Sequence, residues 1–413
     1  MKPRLVMITT NAPFTHGGGE WMFVAPELPR LVGELGGLVV APLHAKGPRE
    51  AVPSGAEVDT RLSEGRRRGR WADLLRAIAW PGFWPELWRA ARRGGPVGCA
   101  RVWRWATVAQ ATYRWARANF AADAPVLFYT YWRGGSTLAL ARLAAERPRT
   151  RVVTRVHRYE LYEDAFDPPF QPWHPAMYGT LALTVAISAH GRDYLARAGV
   201  AADRLALFRL GTEPAARPAR ASSDGTWRVV SCSNAIAVKR VPRIAQSLLA
   251  LARAHPDRAL HWTHFGAGPE LATVKALLRA APANLRVDLP GHVDHRAVLE
   301  HYASEAVDAL VLLSSSEGLP VAIQEAASAG IPVIATDVGG VRELVGDDNG
   351  ALLSADAALD DVVGALARVL FDADAVRRQA RREASFRRWA EGFDARLNHT
   401  RFAQRLRDLM SSL

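Results

Sequence analysis

Cysteine is nearly missing from this chain: Cys99 and Cys232 are the only two in 413 residues. Two thiols make neither a disulfide framework nor a thiolate metal cluster. No run of about 18 uncharged apolar residues occurs, so no segment is expected to span a bilayer as a helix. The first ten residues hold one short apolar patch and no small-residue cleavage site, so a cytoplasmic location is the expectation. Lysine is scarce as well: Lys2, Lys46, Lys239 and Lys275 are four of 53 basic side chains. What the chain does hold is ordinary soluble composition, 49% apolar and 23% charged, which excludes wholesale disorder. Its length predicts two or three domains.

The net charge of +12 is unevenly spread. Segment 61–118 carries 13 arginines against Glu64, Asp73 and Glu86, and holds seven of the 13 tryptophans. Arginine with tryptophan on amphipathic stretches suits an anionic membrane face; a solvated arginine coat over a tryptophan core is the plainer reading. Nucleic acid is the other polyanion to weigh, but no motif of a nucleic-acid-binding module accompanies the charge. Residues 221–361 run the other way, with 17 acids against 11 bases.

Short β-branched runs alternate with amphipathic stretches throughout. Strands are predicted at 4–10, 37–43, 126–131, 151–155, 181–188 and 205–210, then at 228–233, 260–265, 287–289, 309–313 and 332–336. A Pro/Ala/Ser/Gly-rich break at 211–226 separates the two series. The pattern predicts an α/β fold of two doubly wound Rossmann-like domains. The first spans 1–215 and includes the helical segment 61–118, with breaks at Pro81, Pro85 and Pro96. The second spans 221–385, and a final helix over 386–413 is expected to cross back to the first. Ligands of doubly wound sheets sit at the carboxyl edge, so a cleft faced by both domains is the expected site.

The densest chemical signal is Ser314-Ser315-Ser316-Glu317-Gly318-Leu319-Pro320-Val321, continuing to Glu325, Gly330 and Pro332. A strand ends in a Ser/Glu/Gly loop, and Pro320 opens a helix that Gly330 closes. Its N-terminus points out of the carboxyl edge and favours an anion, phosphate being the natural one. Glu317 and Glu325 beside such a site make sense as acceptors for hydroxyls on a sugar or a ribose. In the first half, Pro13-Phe14-Thr15-His16-Gly17-Gly18-Gly19-Glu20 follows the first strand. The glycines let backbone approach a bulky ligand, and the loop is not a Walker loop because Lys and Ser/Thr are missing from its end.

Glu317 to Glu325, continued by Val333-Ile334-Ala335-Thr336-Asp337-Val338-Gly339-Gly340 and Asn349-Gly350, closely resembles the E-x7-E region of family 4 retaining glycosyltransferases. The resemblance is dense over 307–353 and implies a GT-B enzyme. Other segments then fall into register. Ser231 to Arg240 resembles the loop that holds the donor phosphates, with Lys239 neutralising the departing diphosphate. Ser233 and Asn234 stand where the family carries Gly-Arg, leaving Arg240, or nothing, as the second cation. Gly266, and the Pro290-Gly291-His292-Val293 turn that holds the base, resemble nucleotide contacts. Glu317 is expected to hold donor-sugar hydroxyls, and Glu325 the ribose. Gly17, Gly18, Gly19 and Glu20 resemble the glycine loop over the donor phosphates that bounds the acceptor site. Tyr129-Thr130-Tyr131-Trp132 and Thr154 to Tyr162 resemble a subgroup of bacterial cell-surface polysaccharide assembly, with His157 meeting a sugar hydroxyl. In that segment Arg158 replaces glycine and Glu160 replaces aspartate.

The resemblance therefore implies transfer from a UDP-sugar or GDP-sugar to a glycan or polyprenyl-diphosphate-linked acceptor. No Asp-x-Asp ends a strand of the second half, so no metal and no other cofactor are expected. Peripheral attachment to the inner membrane through 61–118 is expected, and no nucleic acid. A GT-B sugar epimerase or phosphorylase, and a catalytically idle nucleotide-sugar-binding subunit, are the alternatives.

Overall fold

A computed structural model describes residues 3–15, 19–174 and 176–413. The candidate loop residues Gly17 and Gly18 lie outside them. The chain divides into two units, Met1–Leu210 with Ala395–Leu413, and Gly211–Asp394.

The first unit is built on seven strands: β1 Arg4–Thr9, β2 Leu38–Pro42, β3 Ala56–Val58, β4 Val126–Thr130, β5 Thr150–Val156, β6 Leu183–Ala186 and β7 Leu205–Leu207. All pair in parallel in the order β3-β2-β1-β4-β5-β6-β7. The interior strands are buried on both faces, hence their unbroken apolar runs: β2 and β4 are buried at every residue. β3 had no such signal. It is a three-residue edge strand, Ala-Glu-Val, with no fully buried position.

The last helix, Ala395–Ser411, closes this unit. Phe402 and Leu406 are wholly buried, and the Phe402 ring lies 4.4 Å from the guanidinium of Arg155. Arg155 on β5 pairs with Glu27, both fully buried. His399 lies 3.6 Å from the same carboxylate, and burial holds its pKa down to about 4. The predicted crossing helix 386–413 is thus two elements. Helix Ala375–Gly392 stays with the second unit, where the Trp389 indole donates to Thr212 at 2.9 Å, and the return begins at Ala395.

Between β3 and β4 lies the basic segment. Helices Arg61–Arg68 and Arg70–Arg76 precede one long helical run, Phe83–Asn119. That run reverses at Gly95, whose φ of 53° and ψ of −152° are not helical, and Pro96 starts the second arm. The arms fold against each other. A Cβ on Gly98 would stand 3.0 Å from the Ala90 carbonyl oxygen, and the Phe83 and Trp103 rings meet edge to face at 5.3 Å. Pro85, predicted as a break, instead sits in the first turn, where its missing N–H costs nothing.

The second unit has β8 Thr226–Cys232, β9 Ala259–Phe265, β10 Leu285–Gly291, β11 Ala309–Leu312, β12 Val333–Thr336 and β13 Gly350–Leu353. They are parallel in the order β10-β9-β8-β11-β12-β13. β13 was not predicted. Gly350 starts it because a Cβ there would lie 1.8 Å from the Val333 carbonyl oxygen of the neighbouring strand. Strand order reverses between β8 and β11, and in the first unit between β1 and β4. Such points open a crevice at the carboxyl edge.

Candidate active site

The loops after β8 and β11 flank the switch point of the second unit. Their backbones are joined, since the Ser315 N–H donates to the Val238 carbonyl at 2.8 Å. The loop after β8 ends in a single 3-10 turn, Ala237–Lys239, and the loop after β11 carries Glu317. Lys239 Nζ donates to Glu317 Oε1 at 2.5 Å; the carboxylate is buried, while the lysine keeps part of its surface exposed. Glu317 is held from behind by its own backbone. Gly339 has a φ of 57°, and a Cβ there would stand 2.0 Å from the Glu317 carbonyl oxygen. The next N–H, of Gly340, donates to the Gly318 carbonyl at 2.7 Å. The Gly339-Gly340 turn therefore fixes Glu317 and Gly318 in a way no other residue type at 339 permits.

Gly318 and Leu319, both buried, lead into helix Val321–Ser328. Pro320 is its N-cap, with φ −64° and ψ 124°, rather than its first helical residue as predicted. No side chain caps the helix, so the first N–H groups at Val321 onward are left to a ligand. Glu325, inside the helix and buried, pairs through Oε1 with His295 Nε2 at 2.5 Å. That hydrogen bond, opposed by burial, raises the His295 pKa. Cys232, at the end of β8, feels a charge from each of the two pairs. Its thiol is pushed up to about 12 by burial and by the charge of Glu325, with Lys239 opposing.

Three further candidates lie in the neighbouring loops. Arg240 sits in the left-handed region at φ 49° and donates to the Ala355 carbonyl at 2.5 Å, so its guanidinium is engaged with the loop after β13 and not with Lys239. Gly266, at φ 144°, lets two loops touch, since a Cβ would be 1.8 Å from the Ser233 carbonyl oxygen; its N–H donates to Gly291 at 2.9 Å. Gly291 itself, at φ 77°, has nothing within 4 Å of where a Cβ would stand. Asn234 and His292 are exposed. Below them Ser231 Oγ joins His264 Nδ1 at 2.8 Å and the Trp262 indole at 2.9 Å. Sequence reasoning missed this brace and missed His295, because a histidine opening a short helix carries no pattern of its own.

In the first unit, Glu20 is not a ligand-facing group. Its Oε1 accepts from the Thr10 N–H at 2.8 Å and the Trp132 indole at 2.7 Å; its Oε2 accepts from the Asn11 and Ala12 N–H groups at 2.6 and 2.8 Å. The carboxylate satisfies the turn after β1 and locks it to the loop after β4. Gly19, next to it, is exposed and precedes only a five-residue helix, Glu20–Val24.

Trp132 passes the order on. Its ring lies 4.1 Å from that of His157, at the end of β5. Glu160 Oε1 accepts from the His157 backbone N–H at 2.8 Å and from Nδ1–H at 2.9 Å. That bond leaves Nε2 as the acceptor nitrogen of the neutral ring. Nε2 is buried and has no protein partner. Arg133 holds Glu160 in turn through the Glu160 carbonyl, at 2.7 and 3.0 Å. The glutamate that departs from the expected aspartate is thus the group that orients His157.

Among the described residues no cluster of three or more His, Cys, Asp or Glu is placed to hold a metal ion, and no helix is long and apolar enough to cross a membrane.

Residues 213–386 match the family model of glycosyl transferases group 1. No curated protein matches the chain in sequence. Among solved structures it is similar to the lipopolysaccharide outer core galactosyltransferase WaaB, at 14% identity and a TM-score of 0.66, each chain covered completely. It is similar to the trehalose-6-phosphate synthase OtsA, at 13% identity and a TM-score of 0.65 over 99% of each chain. The α,α-trehalose 6-phosphate synthase of Burkholderia multivorans gives 16% identity and a TM-score of 0.65, covering 100% of this chain and 98% of its own. The second unit therefore carries a glycosyl transferases group 1 domain, in a chain of two parallel-sheet units with the GT-B fold.

Proposed function

We propose that this chain is a retaining, metal-independent glycosyltransferase of family 4. It moves a sugar from a nucleoside diphosphate sugar, UDP- or GDP-linked, to a lipid-linked or polysaccharide acceptor in cell-surface glycan assembly. The observation that carries this reading is the Lys239–Glu317 pair at the switch point, 2.5 Å long and set against an uncapped helix N-terminus.

Departure of a diphosphate develops negative charge. Fixed N–H groups at Val321 onward and the Lys239 ammonium lower that barrier because they are in place before the reaction. The lysine has three N–H donors, so it can keep Glu317 while it meets a phosphate oxygen. The free oxygen of Glu317 accepts from donor-sugar hydroxyls, and that of Glu325 from the ribose. In the first unit, His157 Nε2 accepts from a sugar hydroxyl. The acceptor carries phosphate and lipid, which suits the arginine- and tryptophan-rich helices of the same unit and attachment to the inner face of the bacterial inner membrane.

The test is a thermal-shift screen of UDP, GDP, ADP and their sugars with EDTA present, repeated on Glu325→Ala. A ligand at 100-fold its dissociation constant adds about 2.7 kcal/mol. One base should shift the wild type, and shift the variant much less. No shift with any base sinks the donor site.

One observation favours a second reading, a catalytically idle nucleotide-sugar-binding subunit. Ser233 and Asn234 supply no cation, and Arg240 is turned to Ala355, so of the candidate donor residues Lys239 is the cation that meets Glu317. Nucleotide binding without turnover on any acceptor would select it.

A further inference from the structure

The reversal at Gly95 leaves a cavity of about 950 Å³ between the two arms of the helical hairpin. It is at the upper end of the size range of small-molecule sites. Leu87 and Ala91 line it from the first arm, Cys99, Trp103 and Val108 from the second, and Leu74 closes one side. The Trp103 indole N–H, which would otherwise be a polar intrusion, is spent on the Leu74 carbonyl at 3.1 Å. The interior therefore offers hydrocarbon contact and almost no hydrogen bonds.

The rim has a different chemistry. Trp84 and Trp88 line the cavity yet are 62% and 63% exposed; with Trp71 at 72%, they are the exposed tryptophans among the described residues. Arg66 and Arg104 also line it. Arg104 is exposed and engages no partner among the described residues, and Arg92 stands 4.5 Å over the Trp88 ring. A soluble face gains nothing from three exposed indoles, whereas indole rings beside guanidiniums match the headgroup layer of an anionic bilayer.

We propose that this cavity takes up an aliphatic chain of an anionic membrane lipid, whose phosphate is met by Arg104 at the rim. The proposal rests on the membrane-facing reading of the helical segment and adds a defined site to it. Charge complementarity selects the occupant: the segment has 13 arginines against three acids, so a neutral amphiphile or an acidic-faced partner helix leaves one half of the feature unused or unmatched. One inserted chain gives only marginal membrane binding by itself, and a basic patch alone is salt-labile; the hairpin combines the two.

The experiment uses the full chain, with dihexanoyl-phosphatidylglycerol kept monomeric and, separately, vesicles of phosphatidylcholine with and without phosphatidylglycerol. Cys99 lies in the cavity wall, so lipid uptake should slow its alkylation by maleimide in a Cys232→Ser background. Ala91→Trp fills the cavity from an exposed helix position and should weaken the monomeric lipid by roughly tenfold or more, the cost of losing a few methylene contacts. Arg104→Ala should weaken dihexanoyl-phosphatidylglycerol several-fold and leave phosphate-free dihexanoylglycerol unchanged. Glycerol phosphate should give no protection. Protection that survives Ala91→Trp, or no saturable binding by the wild type, overturns the proposal. A concentration-dependent dimer that lipid does not dissociate overturns it too, since the cavity would then seat a second copy. Vesicle binding that is unchanged by Ala91→Trp keeps the membrane reading and removes the chain site. Wild type indifferent to anionic vesicles at low salt removes the membrane reading, while the monomeric titration still decides the cavity.

Discussion

Glu20 and Glu317 follow the same recipe and end in opposite roles. Each lies beside a glycine at the carboxyl edge of a parallel sheet where a loop gives way to a helix, Glu20 as the first helical residue and Glu317 in the loop ahead, and each is 7% exposed. Glu20 accepts four hydrogen bonds, three of them from the turn it follows. Glu317 has one protein donor, Lys239, and its backbone is pinned by Gly339 and Gly340 from another loop. What separates them is who satisfies the loop. Where neighbouring glycines and backbone carbonyls hold a loop, its carboxylate is left free to meet a ligand. Where the loop leaves its own N–H groups open, the carboxylate is consumed by them.

Substitutions sharpen that contrast. Glu317→Ala and Lys239→Ala should each lower kcat on the order of 10²–10³-fold, the scale of losing one preorganised electrostatic group, with melting temperatures close to wild type. Steady-state kinetics beside calorimetry checks this. A Glu317 variant that melts early but turns over normally would erase the distinction. Glu20→Ala should do the reverse, costing about 3 kcal/mol of stability through its orphaned donors while nucleotide affinity stays unchanged. Urea unfolding and nucleotide titration of the same preparation read both numbers. Glu325→Ala should weaken nucleotide binding about tenfold, one charged hydrogen bond to a hydroxyl; equal affinity of ribo- and 2′,3′-dideoxynucleotides for wild type would remove that role.

The smallest effect is a pH dependence. Its hydrogen bond to Glu325 raises the His295 pKa against opposing burial. The stability from that pair is complete below the unfolded value near 6.5 and is lost as pH rises through the raised value. Protonated His295 neutralises the Glu325 charge and makes its free oxygen a weaker acceptor for the ribose, so nucleotide affinity should climb a few-fold across that window. His295→Ala should flatten the climb, which titrations between pH 6 and 9 would resolve.

The fold was legible because a parallel sheet buried on both faces writes itself as apolar runs, and eleven of the thirteen strands, all but β3 and β7, have a buried residue. β3 escaped because an edge strand of Ala-Glu-Val has nothing to alternate. β13 escaped because its first residue is a glycine chosen for closeness to Val333 and not for packing. Of the candidate site, Lys239, Glu317 and Glu325 were legible as a motif, and the structure brings them to one edge. Arg240 was misjudged because proximity along the chain says nothing about direction; a left-handed residue turns its side chain toward Ala355. His295 and the Ser231–His264–Trp262 brace depend on distances across strands, which no local pattern records.

The buried Arg155–Glu27 pair has a consequence for biosynthesis. Its cover, Phe402 and His399, comes from the last 19 residues of the chain, while Glu27 comes from the first turns. Domains tend to fold from the N-terminus as the ribosome delivers them. Here the unit made first must wait, with an uncovered ion pair, until the whole second unit and the final helix have been translated. The order of synthesis and the order of completion are therefore inverted, and a truncated nascent chain exposes the half it began with.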